Sequence, residues 1–306
     1  MNTVAFAYHD MGIVGLEALR RAGFRIACIF SHEDDPRENR WFGSVKAWGM
    51  ERGIVVHCPP DLRDPEWAVR IAELRPEMLF SFYYRRLLPE EILRIPPRGA
   101  YNLHGSLLPA YRGRCPVNWV LVHGETRTGV TLHHMVERAD AGDIVGQREV
   151  PIAGEDTAFT LHRKLCDAAA GLLDTCLPLL REGIAPRIPQ DICQGSYFGG
   201  RSPEDGRIDW RWPAGRICNL VRAVAEPWPG AFCALPDGSR LMVWRAGAEE
   251  GTGEGVPGTV ETEREGVFVR AGNGRVRLFD IETGGKRMGG EEIIRYFSQR
   301  EGTVLI

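Results

Sequence analysis

Lysine is nearly missing from this chain. Lys46, Lys164 and Lys286 are the only three, so the basic charge is almost all arginine. Net charge is also small, −3, which leaves no global attraction to polyanions. No apolar run approaches the roughly 20 residues that span a bilayer. The N-terminus runs straight into Val4-Ala5-Phe6-Ala7 with no basic leader, which points to a cytoplasmic protein without membrane insertion. The eight cysteines form no Cys-x-x-Cys pair and lie scattered through apolar stretches, which argues against a zinc ribbon or a disulfide framework. No internal repeat is present.

The 306 residues are enough for two domains with separate cores, and 43% hydrophobic with 26% charged residues is a globular composition. Strand patterns at 3–8, 25–30, 54–57, 78–82 and 100–103 alternate with helical ones, including 14–22 and 66–74. This predicts a mostly parallel, Rossmann-like α/β sheet covered on both faces. Two further strands are expected at 130–135 and 144–150, and a long helix at 157–181. Residues 183–201 change to Pro, Gly, Gln and Ser and read as a linker. Beyond it lie a helix at 214–225 and short strands at 231–235, 240–245, 258–261, 266–271 and 276–281. They predict a small antiparallel OB-like barrel, with a mobile connection at 247–257. The expected domains are 1–190 and 201–306.

The first βα turn, His9-Asp10-Met11-Gly12-Ile13-Val14-Gly15, lacks the first glycine of a dinucleotide fingerprint. It reads as a tight turn that lets strand meet helix, ahead of nicotinamide binding, so no NAD is expected. Asn102 and His104 alternate onto one face where a parallel strand ends, the edge at which open α/β sheets bind ligands. Ser106 follows, then the loop Pro109-Ala110-Tyr111-Arg112-Gly113-Arg114. Its arginines suit phosphate or carboxylate, and Gly113 permits close backbone approach. Asp140, in an Ala-Asp-Ala-Gly turn, gains meaning jointly with His104. An amide, an imidazole and a carboxylate are the parts needed for acyl transfer. His133 and His134 are neighbours on a strand and point to opposite faces, so they cannot chelate one ion, and no metal is expected.

Residues 102–109 (Asn-Leu-His-Gly-Ser-Leu-Leu-Pro) with Tyr111-Arg112-Gly113 resemble the 10-formyltetrahydrofolate-dependent formyltransferases. The run Ala139-Asp140-Ala141-Gly142-Asp143-Ile144 matches that family's aspartate loop. Pro227-Trp228-Pro229-Gly230-Ala231-Phe232 resembles the opening of its C-terminal domain in tRNA and sugar members. The resemblance covers nearly the whole chain and is weakest across 246–275. Within the family, the likeness is greatest to enzymes that formylate UDP-4-amino-4-deoxy-L-arabinose, a lipid A modification that confers polymyxin resistance. Supporting runs include Phe82-Tyr83-Tyr84-Arg85, Gly129-Val130-Thr131-Leu132-His133 and Arg222-Ala223-Val224-Ala225-Glu226-Pro227-Trp228. The bifunctional member carries a second, NAD-dependent decarboxylase half, which is not carried over to this chain.

The resemblance implies attack of a neutral primary amine on the formyl carbon of 10-formyltetrahydrofolate. Asn102 would hold the oxyanion, and His104 would protonate the departing folate nitrogen or shuttle the amine's proton. Asp140 would pair with His104 and favour the imidazolium. By the same resemblance Arg86, Leu87, Leu88, Arg114, Val136, Glu137, Arg138, Ala139 and Asp140 would line the folate pocket. Ser106, Tyr111 and Arg112 are candidates for the nucleotide-sugar acceptor. Two alternatives stay open: a methionyl-tRNA formyltransferase and a 10-formyltetrahydrofolate hydrolase. The tRNA reading calls for a basic surface, yet residues 200–306 hold 15 Lys+Arg against 16 Asp+Glu, so no nucleic acid partner is expected.

Overall fold

The computed structural model describes residues 1–34, 39–251 and 255–306. In chain order the elements are β1 (Asn2–Ala7), α1 (His9–Arg21), β2 (Arg25–Phe30), α2 (Val45–Glu51), β3 (Val56–His57), α3 (Pro65–Glu73) and β4 (Met78–Phe82). Then come α4 (Glu90–Leu93), β5 (Ala100–His104), β6 (Arg112–Gly113), α5 (Pro116–Val122), β7 (Arg127–His134), β8 (Ile144–Pro151), α6 (Ala158–Glu182) and β9 (Tyr197–Phe198). They are followed by α7 (Ala214–Val224), β10 (Ala231–Ala234), β11 (Arg240–Glu249), β12 (Val260–Glu263), β13 (Gly266–Arg270), β14 (Arg275–Thr283), β15 (Lys286–Gly289) and α8 (Glu291–Ser298). Two compact units result. One is Met1–Pro116, Arg127–Pro151 and His162–Gly199; the other is Val117–Thr126, Ile152–Leu161 and Gly200–Ile306.

The first unit is organised by a seven-stranded sheet of order β3-β2-β1-β4-β5-β7-β8. The five strands from β3 to β5 are parallel. β7 runs antiparallel to β5, and β8 antiparallel to β7. The strand order reverses at β1/β4, which is the Rossmann-like arrangement expected from the alternating pattern. Buried Val4, Phe6, Phe30, Leu79, Phe80 and Phe82 explain why the central strands read as apolar runs: helices cover both faces. α3 begins as its sequence predicts, with Pro65 at its start and the Asp64 carboxylate accepting from the Glu66 N–H at 3.1 Å. The first βα turn is a close-packing device. A Cβ on Gly15 would sit 2.2 Å from the Phe82 ring, so only glycine lets α1 approach β4 this closely.

In the second unit β10-β11-β14-β13-β12 form an antiparallel sheet, with β15 added to β14. The last residues of the chain close it. On one side, Val260 N–H donates to Thr303 O at 2.8 Å and Leu305 N–H to Gly258 O at 2.8 Å. On the other, Ala234 and Ile306 exchange backbone hydrogen bonds of 2.7 and 2.9 Å. Residues 303–306 therefore occupy the gap between β12 and β10, leaving neither edge unpaired there. The resulting OB-like barrel encloses Leu241, Val243, Val267, Val269, Val276 and Ile281, covered by Ile217 and Val221 of α7 and Phe297 of α8.

Several elements depart from the sequence reading. β11 continues to Glu249 and pairs with β14 as far as Arg275, so the connection expected at 247–257 starts later; residues 252–254 lie outside those described. Residues 183–201 are more than a linker, since they carry β9 and a short 3-10 turn at Ile192–Gln194. α2 and α4 fill gaps between strands where helical patterns were expected without stated bounds, whereas α5 and α8 were not anticipated. Asn118-Trp119-Val120-Leu121-Val122 has strand-like composition yet is helical. It follows Pro116, which suits a first helical turn, and Asn118 Nδ2 donates to Ala223 O at 2.7 Å in a buried setting. Among the described residues no helix is long and apolar enough to cross a membrane.

Candidate active site

β5 pairs with β4 on one side and β7 on the other, which places Asn102 between Ser81 and His133. The strand ends at His104, on the carboxyl edge of the parallel sheet. The loop after β7 brings Asp140 back to this edge, and Asp140 adopts the left-handed region with φ +52°. Its Oδ2 lies 3.6 Å from His104 Nδ1. Its Oδ1 lies 3.4 Å from Asn102 Nδ2 and 3.5 Å from His133 Nε2. The three residues singled out from the sequence thus meet at one carboxylate.

Hydrogen bonds around the ring nitrogens define their states. His133 Nδ1 donates to the His134 carbonyl at 2.8 Å, so neutral His133 presents a lone pair at Nε2. Asn102 Nδ2 donates into that lone pair at 3.1 Å. His104 Nε2 donates to the Tyr111 carbonyl at 2.8 Å, which leaves Nδ1 facing Asp140. Burial alone would raise the Asp140 carboxyl. Charge on His104, the hydrogen bond and charge that His133 supplies once it is protonated at Nε2, and the Gly113 N–H outweigh it and hold the carboxyl well below the usual carboxylate range. Asp140 is therefore a fixed anion at physiological pH, and the adjoining imidazoles and amide are arranged around it.

The 109–114 loop supports this group from the other side. Gly113 N–H donates to Asp140 Oδ2 at 2.8 Å. Gly113 has φ +96°, and a Cβ there would lie 2.2 Å from Phe198 O, so this amide reaches Asp140 only because the residue is glycine. β6 pairs with β9, and Tyr111 N–H donates to Ser196 Oγ at 2.8 Å while its ring stacks on Phe198 at 5.2 Å. Ser106 is fully buried and donates to Ala110 O at 2.6 Å, with Tyr111 O a second acceptor at 3.3 Å. Arg112 is 5% exposed and donates to Ile192 O at 3.3 Å. Of the acceptor-site candidates, then, Ser106 and Arg112 are engaged internally, whereas Tyr111 is half-buried.

The residues expected around folate occupy three stretches, 86–88, 114 and 136–140. Leu88 and Met135 pack against the same buried cluster, with Leu87 at 73% and Val136 at 45% exposure beside them. Arg86 donates to Pro59 O at 2.6 Å. Arg114, Glu137 and Arg138 are exposed, and Ala139 is half-buried. Two residues that sequence reasoning did not assign to the site belong to its framework. His133 orients Asn102, as above; its only sequence signal was the histidine pair, whose other member, His134, meets the Tyr101 ring at 4.7 Å. Gln190, from the presumed linker, donates to Asp140 O at 3.2 Å and also to Gly142 O, and so clamps the aspartate loop. Nothing in the local sequence signals it.

Comparison with known proteins identifies the family. The sequence profile of the formyl transferase family matches residues 17–177, and that of the formyl transferase C-terminal domain matches residues 201–298. Similar solved structures include an N-formyltransferase from Helicobacter canadensis, in complex with folinic acid and dTDP-3-aminofucose. It is 18% identical with a TM-score of 0.71, over 90% of this chain and 98% of that one. WlaRD, a sugar 3N-formyl transferase solved with dTDP and 5-N-formyl-THF, is 16% identical with a TM-score of 0.71, over 94% and 98% of the two chains. HypX from Aquifex aeolicus, in complex with tetrahydrofolic acid, is 20% identical with a TM-score of 0.58; the match spans 98% of this chain but 48% of that longer one. At these identities the likeness is one of fold, whereas the profile matches bear on the sequence itself. With the formyl transferase profile over more than half its length and the C-terminal-domain profile after it, the chain belongs to the formyl transferase family and is a formyltransferase.

Proposed function

We propose that the chain transfers the formyl group of 10-formyltetrahydrofolate to the primary amine of a nucleotide-linked amino sugar, UDP-4-amino-4-deoxy-L-arabinose. This would be a cytoplasmic step of lipid A modification that confers polymyxin resistance. The observation that carries the reading is the convergence of Asn102, His104 and Asp140 at the end of β5. In this reading residues 1–190 are the catalytic domain and 201–306 the barrel domain. Asn102 donates its amide hydrogen to the oxyanion, exchanging the long 3.4 Å contact with Asp140 for it. Asp140, held anionic, stabilises positive charge on His104 as a proton moves. His104 meets the reacting atoms by exchanging its Tyr111 partner for them. Of the other acceptor-site candidates, Ser106 enters through the Tyr111 carbonyl that its hydroxyl approaches at 3.3 Å, and Arg112 through the Ile192 carbonyl that it holds at 3.3 Å.

The folate fits the residues present. Exposed Leu87 and Val136 offer aliphatic surface to a flat ring system, and Arg114 and Arg138 offer cations to a glutamyl carboxylate. A nucleotide sugar is favoured over charged tRNA because the 200–306 segment carries a balance of 15 basic to 16 acidic residues. The structures of similar fold that hold dTDP or dTDP-3-aminofucose with a folate support the same acceptor class. The test is a formyl-transfer assay with 10-formyltetrahydrofolate against UDP-4-amino-4-deoxy-L-arabinose, other nucleotide amino sugars and charged initiator tRNA. Turnover of the UDP sugar supports the full reading. Turnover of another nucleotide sugar keeps the class and corrects the acceptor. Formylation of tRNA alone, or formate release without an acceptor, overturns it.

A further inference from the structure

A second group of chemically capable residues lies in the first unit, where β1 passes into α1. His9 opens α1 in the left-handed region with φ +66°, a conformation uncommon outside glycine and often found at functional positions. Its ring is 4% exposed and packs between Phe42 at 3.9 Å and Trp41 at 4.5 Å. His162 of α6 is 1% exposed, and its ring meets that of His9 edge-on at 4.7 Å. Nδ1 of both rings is buried without a hydrogen-bond partner among the described residues. Buried polar atoms are rarely left this way without a ligand or water, because the unpaired group keeps its full desolvation cost. Two such nitrogens on adjoining rings mark a place built around something.

Asp10 supplies a third ligand atom. Its Oδ2 lies 3.9 Å from His9 Nδ1, and the donor atoms of His9, Asp10 and His162 all fall within 4.8 Å of one another. We propose that His9, Asp10 and His162 form a binding site for one divalent transition-metal ion of the zinc class, with its remaining position open to water or an oxygen ligand. Two imidazoles and a carboxylate are a recurrent donor set for such ions, and zinc keeps an open position in three-ligand sites.

The surroundings match that role. His162 Nε2 lies 3.5 Å from Cys166 Sγ, so with an ion on Nδ1 the Nε2–H donates to sulfur and fixes the ring. Asp10 Oδ1 accepts the Gly43 N–H at 2.8 Å, which turns Oδ2 towards the histidines. The Asp10 side chain is 39% exposed and provides the path of entry. Burial, with His162 and Arg85 adding to it, lowers His9 to about 2, and burial lowers His162 to about 4 against the opposing pull of Asp10. Both rings are thus neutral at physiological pH, the state that ligates. Zinc bonds of about 2.0–2.2 Å require the three donors to draw closer than they stand, and the half-exposed Asp10 can supply that movement. The site holds the β1–α1 turn to α6 and does not depend on the acceptor proposed above.

The test uses the full chain stripped with a chelator and titrated with Zn2+ by calorimetry and with Co2+ by visible absorption. One equivalent should bind with micromolar or tighter affinity, give the ligand-field bands of nitrogen and oxygen coordination, and raise the Tm. Asp10→Asn and His162→Gln should each weaken binding by more than the ~10–100-fold expected for Cys166→Ala, which removes an outer-shell partner. Absence of one-equivalent binding by the wild-type chain overturns the proposal, whatever the variants do. So does binding that persists unchanged in Asp10→Asn, which would show an adventitious surface site; the two imidazoles then most simply share a buried water.

Discussion

Asn102 and His133 face each other directly across β5 and β7, and the amide nitrogen of one lies 3.1 Å from Nε2 of the other. Because His133 Nδ1 donates to its neighbour's carbonyl, the lone pair at Nε2 is what orients Asn102. Replacing His133 with Gln retains an acceptor oxygen near the Nε2 position, whereas Met fills the space with none. We expect His133→Met to lower kcat by about tenfold, the worth of one hydrogen bond of about 1–1.5 kcal/mol, with folate KM little changed. His133→Gln should recover most of that loss. Equal losses in both variants, measured as kcat under saturating substrates, would mean that His133 acts through packing alone.

Asp140 touches His104, His133 and Asn102, so these groups should fail together. Asp140→Asn is expected to lower kcat by roughly a hundredfold or more while leaving folate affinity nearly intact. His104→Ala should be at least as severe. The double variant should cost little beyond the single histidine change, because residues that act as one unit are non-additive. Fully multiplying losses in that cycle, or near wild-type turnover in His104→Ala, would show two independent contributions.

Stability should record the same carboxylate. Asp140 is held below the usual carboxylate range in the folded chain, despite a burial that pushes the other way. A depressed folded pKa contributes stability that is fully present above the unfolded value of about 3.9 and is lost as pH falls towards the folded one. The stability gap between wild type and Asp140→Asn should therefore be present at about pH 5 and should narrow below about pH 4. Urea denaturation across this range measures it; a gap that widens on acidification would reverse the assigned sign.

How much of this was legible in the sequence depended on distance along the chain. The bounds of β2 and β4 were readable because each is a short apolar run that ends where the polar chain turns. Asn102 and His104 were readable because strand alternation is local. Nothing local could show that His133 sits opposite Asn102, since that requires the register between β5 and β7. Gln190 was hidden for the same reason, with some fifty residues separating it from the loop it holds. α5 was obscured by composition: its valines and tryptophan favour strand in isolation, and tertiary packing overrode that preference.

Gly113 offers a test of the loop geometry. With φ +96° and Phe198 O 2.2 Å from where a Cβ would stand, Gly113→Ala must shift the backbone that carries the N–H to Asp140. We expect a destabilisation above about 1 kcal/mol, since alanine at positive φ is strained, together with a fall in kcat. Unchanged Tm and unchanged turnover would show that the 109–114 loop relaxes without moving Asp140.

The C-terminal residues make the last prediction. Backbone hydrogen bonds from 303–306 reach β12 through Val260 and Gly258, and β10 through Ala234. Leu305 is also buried in the barrel core. Ending the chain after Gly302 removes both sets of bonds and the leucine, and it exposes two strand edges at once. Open edges are templates for pairing with other chains, and loss of a buried leucine typically costs about 2–5 kcal/mol. The truncated protein should therefore melt several degrees lower and associate on mild heating, while a Leu305→Ala variant, which keeps the backbone bonds, should lose stability with less association. Calorimetry with light scattering separates the two. A truncation that melts like the Leu305→Ala variant and stays dispersed would show that the barrel is closed by side-chain packing and that the edge hydrogen bonds of 303–306 are dispensable.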